Sequence, residues 1–254
     1  MLTATDENNN HVLAWETEKG GRFYCPECRG DLILRKGEIK THHFAHRVEH
    51  GCDYGGGETE LHREAKMGLY RSLESHPDVL SVGLEVPLGK TRRADVMIVT
   101  KKSDVVVVEL QRSNLSIADI RQRTLDYTAM KIPVIWIAIG FQPKHGIELR
   151  IKEWQQWLHA MWYGQLFTWF GGSLVQAWKL DTVTRYGEEY FIPDGGGETD
   201  FAPNRTLKRT RCPRLLGTFD IVSNMHSIVH HRWNAYPEAL IWNTDASVRH
   251  GRSI

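Results

Sequence analysis

Two periodicities alternate along the middle of the chain. Residues 59–75, TELHREAKMGLYRSLES, repeat Leu61, Ala65, Leu69 and Leu73 at steps of four, one face of a helix that Thr59 can cap. VLSVGLEVPL (79–88), RADVMIVT (93–100) and VVVVELQ (105–111) are runs rich in β-branched residues. The turn-forming Gly89-Lys90-Thr91 and Lys101-Lys102-Ser103-Asp104 separate them, and such short connections predict antiparallel pairing. Residues 116–130 predict a second helix: Ser116 caps it, Asp119 stands in capping-box position, and Ile117, Ile120, Thr124 and Thr128 share a face. Pro133 opens VIWIAI, the continuous apolar run of a strand buried on both faces. The helix before it is the crossover that a parallel pair with the third strand requires.

Outside this block the pattern is weaker. The segment from Leu13 to Tyr54 holds short strand-like pieces and ends at the hinge Gly55-Gly56-Gly57. Residues 151–163 set Trp154, Trp157, Leu158, Met161 and Trp162 at helical spacing, a stripe suited to docking on a sheet. A hairpin is expected over 174–192 and a loop over 193–214, and the last forty residues carry no clear pattern. The division expected is a small N-terminal module over 1–57, an α/β core of a mixed sheet flanked by helices over 58–140, and an α+β C-terminal extension over 141–254.

Composition adds exclusions. In 254 residues, 41% hydrophobic and 25% charged positions exclude wholesale disorder and a disulfide-dense scaffold. No window approaches a membrane span and no signal-peptide pattern opens the chain, so a cytoplasmic protein without membrane association is expected. With a net charge of +1, any grip on nucleic acid must come from local patches. One such patch is RTLKRTRCPR (205–214), which reads equally as a backbone-tracking arm or as a solvated loop.

Cys25, Cys28, His43, His46 and Cys52 crowd five metal-binding side chains into the first quarter of the chain. In CPEC (25–28) a tight turn aims both thiolates at one ion, and Zn²⁺ then takes two more donors from a distant segment. The reading favours Cys25, Cys28, His46 and either His43 or Cys52. Four closed ligands make such a zinc structural, since no position remains for a water.

Asp95 lies in the second predicted strand; Glu109 and Gln111, two apart and on one face, end the third. If Asp95 and Glu109 meet across that pair, two hard oxygen donors and the backbone carbonyl of Leu110 suit Mg²⁺ or Mn²⁺. Such an ion activates water and stabilises charge on a phosphoryl oxygen. Gln111 would hold the attacking water, and Glu60 in the first helical turn would face the same site. An unpaired carboxylate at Glu109, after Val105 to Val108, would be costly, whereas Asp95 beside Arg92 and Arg93 has a ready structural partner. Asp119, Arg123 and Tyr127 form a polar stripe on the second helix, either a surface pair with Tyr packing over it or a phosphate contact braced by Tyr127. His62 and Lys66 share a face one step around from Glu60.

The order helix-Glu, strand-Asp, strand-Glu-x-Gln, helix, strand resembles the PD-(D/E)XK nuclease superfamily. With CPEC, HFAH (43–46), Cys52, ETELHREAK (58–66), RRAD (92–95), VVELQRS (107–113) and RQRTLDY (121–127), the chain over about residues 12 to 140 resembles the competence protein CoiA family. The resemblance implies a restriction-endonuclease-like core, a zinc-finger-like module, and action on DNA during uptake or recombination. Carried over, Asp95 and Glu109 ligate the metal, Glu60 is the helix carboxylate, and Gln111 takes the place of the motif lysine. A glutamine supplies no positive charge, so Lys66, Arg93 or a second ion would compensate. Lys66, Arg93, Arg123 and Tyr127 are the residues expected to meet nucleic acid, with recombination or competence proteins and a second copy of the chain as further expected partners. The alternative is a DNA-binding or recombination-mediator protein with a degenerate nuclease site.

Overall fold

The structure, a computed structural model, describes residues 1–47, 51, 52, 54, 56–89, 92–113, 115–162, 164–186, 191–193, 199–201, 206–223, 226–229 and 240–243. Five short strands open the chain: β1 (Thr3–Asp6), β2 (His11–Leu13), β3 (Phe23–Tyr24), β4 (Asp31–Arg35) and β5 (His43–His46). They pair antiparallel in the order β2-β1-β3-β4-β5. Their core is small, built from Met1, Ala4, Ala14, Phe23, Cys25, Leu32, Phe44 and Tyr54, with the Phe23 and Phe44 rings 5.1 Å apart. This small sheet docks on the main body of the protein: Leu2 is buried in the main core, and Trp15 packs edge-on against Tyr70 at 5.3 Å.

Helix α1 (Glu60–Glu74) starts where Thr59 accepts the His62 N–H on its hydroxyl and buries Ala65, Leu69 and Leu73 as the spacing predicts, together with Lys66 and Tyr70. β6 (Val79–Leu88), β7 (Arg92–Thr100) and β8 (Val105–Gln111) are antiparallel neighbours. α2 (Ile117–Ala129), capped by Ser116, then crosses to β9 (Val134–Ala138), which runs parallel to β8. Val106 to Val108 and Val134 to Ala138 are fully buried, which is why both runs lack polar alternation. α2 covers the β8–β9 face that carries Glu109 and Trp136, register partners in adjacent strands; the Trp136 indole donates to Thr124 of α2 at 3.1 Å.

α3 (Glu153–Met161) buries Trp154, Leu158 and Met161 of the tryptophan stripe. β10 (Leu166–Gly171) continues the sheet parallel to β9 and passes through Gly171 and Gly172, at φ 133 and 52, into β11 (Leu174–Tyr186). β12 (Phe191–Pro193) and β13 (Thr199–Phe201) pair with each other, while β14 (Thr206–Asp220) runs along β11. β15 (His226–Val229) pairs with β16 (Leu240–Asn243), which reaches β9. The main sheet thus runs β14-β11-β10-β9-β8-β7-β6, mixed and flanked by helices, and residues beyond 140 extend it. α1 and β10 approach so closely that a Cβ at Gly68 would stand 2.9 Å from the Trp169 ring.

Two expectations change here. β11 pairs with β10 and β14 instead of folding into its own hairpin, and the expected loop is strand from Thr206 onward. The basic run lacks apolar alternation because its polar residues find partners across the ladder: Arg211 donates to the Thr182 hydroxyl, and Arg214 lies 3.6 Å from Asp181. Arg205 lies outside the described residues. No helix among the described residues is long and apolar enough to cross a membrane.

Candidate active site and metal centre

In the N-terminal sheet, Cys25, Cys28, His46 and Cys52 bring one donor atom each to within 4.8 Å of one another. Cys28 Sγ is 3.4 Å from His46 Nε2 and Cys25 Sγ is 4.0 Å from Cys52 Sγ. These separations match the edges of a tetrahedron, about 3.8 Å between sulfurs for Zn–S bonds of ~2.3 Å. The knuckle forms as CPEC predicts: the Glu27 N–H points at Cys25 Sγ and the Gly30 N–H at Cys28 Sγ, each at 3.4 Å, with Arg29 at φ 62 closing the turn. Burial pushes the Cys25 thiol up to about 12, so an ion entering this site must displace its proton. A Cys₃His cluster of this form can bind a metal such as zinc. The choice left open between His43 and Cys52 goes to Cys52; His43 directs Nδ1 to the Thr41 carbonyl at 2.8 Å, outside the cluster.

The second constellation sits where β7 and β8 stop pairing. Their register ends at Val96–Val108, and one step beyond it Asp95 stands beside Glu109, close enough for its charge to act on the Glu109 carboxyl. Val107 N–H donates to Pro133 and the Gln111 carbonyl accepts from Ile139, so alternate residues of β8 bond to β9. Leu110, between those positions, turns its backbone groups toward β7, where its N–H donates to Asp95 Oδ2 at 2.9 Å. Asp95 and Glu109 are therefore neighbours at the end of the β7–β8 ladder, with the Leu110 N–H bonded to the first.

Helix α1 closes over Asp95. His62 Nε2 is 3.1 Å from Asp95 Oδ2, and its other ring nitrogen is 3.8 Å from Glu58. Burial alone would lower the His62 pKa, but the Asp95 charge and hydrogen bond outweigh it and raise it. Lys66, 3% exposed, pairs with Glu58, lies 2.5 Å from Glu85 and 4.0 Å from Asp95. The same antiparallel register places Glu85 of β6 across Asp95 on its other side, at φ 51, where its carboxylate accepts from the Leu2 and Thr3 N–H groups, the Thr3 and Tyr54 hydroxyls, and Lys66. Burial opposes ionisation of Asp95 and Glu85, yet the cations facing them hold both below the usual carboxylate range.

Glu109 behaves in the opposite way. Burial first, and the Asp95 charge second, push its carboxyl up to about 7, against the pull of Arg123 and the Tyr127 hydroxyl. Tyr127 donates to Glu109 Oε1, and Arg123 lies 3.4 Å from Oε2. Because the folded protein holds this proton up to about pH 7 while an unfolded glutamate loses it near 4.5, stability from this group is full below pH 4.5 and is lost as pH rises through about 7. Glu109→Gln is therefore expected to melt a few degrees above the parent at pH 8 and level with it at pH 4, without added divalent ions. Thermal unfolding across that range checks it; a difference that does not grow with pH contradicts it.

The structure relocates several expected residues. Glu60 does not face Asp95: Oε1 accepts the Thr41 N–H at 2.5 Å and Oε2 pairs with Arg63 at 2.8 Å, which holds it down to about 2 although burial opposes this. At ~100° per residue Glu60 stands about 200° around α1 from His62, so Glu58, ahead of the cap, comes closest instead. Lys66 is buried among carboxylates, and Tyr127 is fully buried behind Glu109, so neither offers a surface to nucleic acid. Arg93 stacks on the Tyr54 ring at 3.6 Å and pairs with Glu27 at 3.1 Å, tying the metal knuckle to β7. Gln111 turns its amide to the Ser113 carbonyl at 2.7 Å. Arg123 is the most open of these, at 37%, against 30% for Glu60 and 21% for Arg93. Glu58 and Glu85 were not marked by their pattern; the only cue is a lone Glu85 between Leu84 and Val86 and a lone Lys66 beside Ala65.

The fold and site define a nuclease-like α/β domain with an N-terminal Cys₃His module. Residues 4–55 match the family model "Competence protein CoiA, N-terminal domain" and residues 58–171 match "Competence protein CoiA, nuclease-like domain", and the chain belongs to the CoiA family. It is 33% identical over 122 residues to competence protein CoiA of Bacillus subtilis (strain 168), a match that covers 47% of this chain and 32% of that protein. No solved structure matches the chain significantly.

Proposed function

We propose that this protein is a divalent-metal-dependent nuclease that hydrolyses DNA phosphodiester bonds in DNA uptake or recombination, with zinc in the Cys₃His cluster. The observation that carries this reading is the placement of Asp95 beside Glu109 at the end of the β7–β8 ladder, with Asp95 bonded to the Leu110 N–H. Two neighbouring carboxylates and a carbonyl are a hard-oxygen donor set suited to Mg²⁺ or Mn²⁺, and a cation between them would offset the burial and the Asp95 charge that together keep Glu109 protonated. Asp95, Glu109 and the Leu110 carbonyl would hold the ion, whose chemistry is to activate water and neutralise phosphoryl charge. His62, hydrogen-bonded to Asp95, fixes the orientation of that carboxylate. Arg123, beside Glu109 and partly exposed, is the cation placed to meet a phosphate. Gln111 holds no charge and turns its amide to the Ser113 carbonyl, so slow turnover is expected.

The test is cleavage of single-stranded, double-stranded and branched DNA with Mg²⁺ or Mn²⁺. The parent cuts, and Asp95→Ala loses activity by about 10³-fold or more. Equal cutting by the variant removes the assignment. Salt-sensitive binding with no cleavage under either ion supports instead a DNA-binding protein with a degenerate site, a reading that the turned-away Gln111 amide favours.

A further inference from the structure

A cavity of about 1060 Å³ lies between the β4–β5 connection and the start of α1, on the face of the N-terminal sheet that also carries His46 and Cys52. Its charge departs from that of the chain. Lys19, Arg35, Lys36, Lys40 and Arg63 line it against Glu38 and Glu58, while the whole protein carries only +1. Lys36 is 3.1 Å from Glu18 and Arg63 pairs with Glu60, but Lys19, Arg35 and Lys40 are solvent-exposed. Ile39, 96% exposed, projects from the connection between Lys36 and Lys40, so apolar surface stands beside the cations. At the inner wall Glu58 reaches the Asp95 site through His62.

We infer that this cavity binds a single strand of nucleic acid and leads it toward the Asp95–Glu109 site. Clustered cations around a cavity follow a phosphate backbone, and an exposed aliphatic side chain among them meets bases without reading them. The volume takes a few nucleotides but cannot enclose a double helix, which selects the single strand. The direction of the strand rests on the nuclease reading; the binding itself does not.

The test is fluorescence anisotropy with a labelled thymidine oligonucleotide of about 20 residues, without added divalent ion. Arg35→Ala/Lys40→Ala is expected to weaken binding ~10-fold or more and to lower the slope of log affinity against log salt by about 1.4, the loss of two phosphate contacts on a single strand. Lys101→Ala/Lys102→Ala, on the exposed β7–β8 turn, is expected to bind as the parent does. An unchanged affinity and slope for the first variant, or an equal loss in the second, overturns the inference. So does a duplex that binds as tightly and is weakened equally, or displacement by polyglutamate at the same charge concentration, which assigns the cavity to acidic polypeptides. Binding that survives while no cleavage is found sinks the nuclease reading and leaves this one standing.

Discussion

Replacing Cys28 with serine, or stripping the Cys₃His cluster with a chelator, is expected to unfold the first 54 residues while the larger sheet persists. The N-terminal sheet buries few large apolar side chains, chiefly Phe23, Leu32, Phe44 and Tyr54, too little to offset the ordering of its chain. A structural zinc site contributes about 10 kcal/mol or more to folding, so its loss outweighs what those residues supply. The damage extends further. Tyr54, two residues beyond Cys52, donates to Glu85, and Glu27, inside the knuckle, holds Arg93 one residue away from Ala94 and two from Asp95. Release of the module therefore frees Glu85 and Arg93 together, and the Asp95 site loosens with them. Hydrogen exchange should show protection lost over residues 1–54 and weakened at β6 and β7, with β9 unchanged. Protection in β3 to β5 that survives metal removal would show that the cluster is not what holds them.

Lys66→Met is expected to lower the unfolding midpoint by roughly 10 °C or more. The ammonium is buried between Glu58 and Glu85 and lies 4.0 Å from Asp95, so its removal leaves three carboxylates against one imidazole and the Met1 ammonium, 2.9 Å from Glu58. Burial alone would discharge Lys66; the Glu85 and Glu58 charges reverse this and raise its pKa, so it stays charged across the range in which the protein is folded. Breaking a buried ion cluster from one side costs about 3–5 kcal/mol, because the remaining charges lose their partner without regaining water. Glu58→Gln added to Lys66→Met should restore part of the midpoint, since it brings the cluster of Glu58, Glu85, Asp95, His62 and the Met1 ammonium back toward neutrality. A single variant within about 2 °C of the parent would mean that water or protons already compensate the cluster.

How much of this was legible along the chain depends on the range over which each feature is decided. The CPEC turn is local, and its thiolates stand where the motif puts them. Capping by Thr59 and Ser116 was equally visible, because a cap depends on four consecutive residues. The strand order β6, β7, β8 followed from short turns, and the parallel step to β9 from the helix that must connect it. β14 was hidden, because a strand whose polar side chains pair across the ladder carries no apolar alternation.

The choice of Cys52 over His43 as fourth donor depended on where a segment distant from CPEC folds back, and spacing is silent on that. Glu58, not Glu60, meets His62 and Lys66 beside Asp95, because the rotation of α1 about its axis is set by packing of Ala65, Leu69 and Leu73 into the core, not by the identity of its acidic residues. Glu85 and Lys66 form a pair only after β6 and α1 are docked, and the attraction between them, working against their burial, keeps both charged. The order of residues determined the elements, the knuckle and the three carboxylate-bearing segments, since those rest on contacts between near neighbours in the chain. Which acid faces which cation, and which donors close the metal site, was decided by the packed fold alone, since Coulomb and coordination energies depend on distances of a few ångströms that only tertiary contacts set.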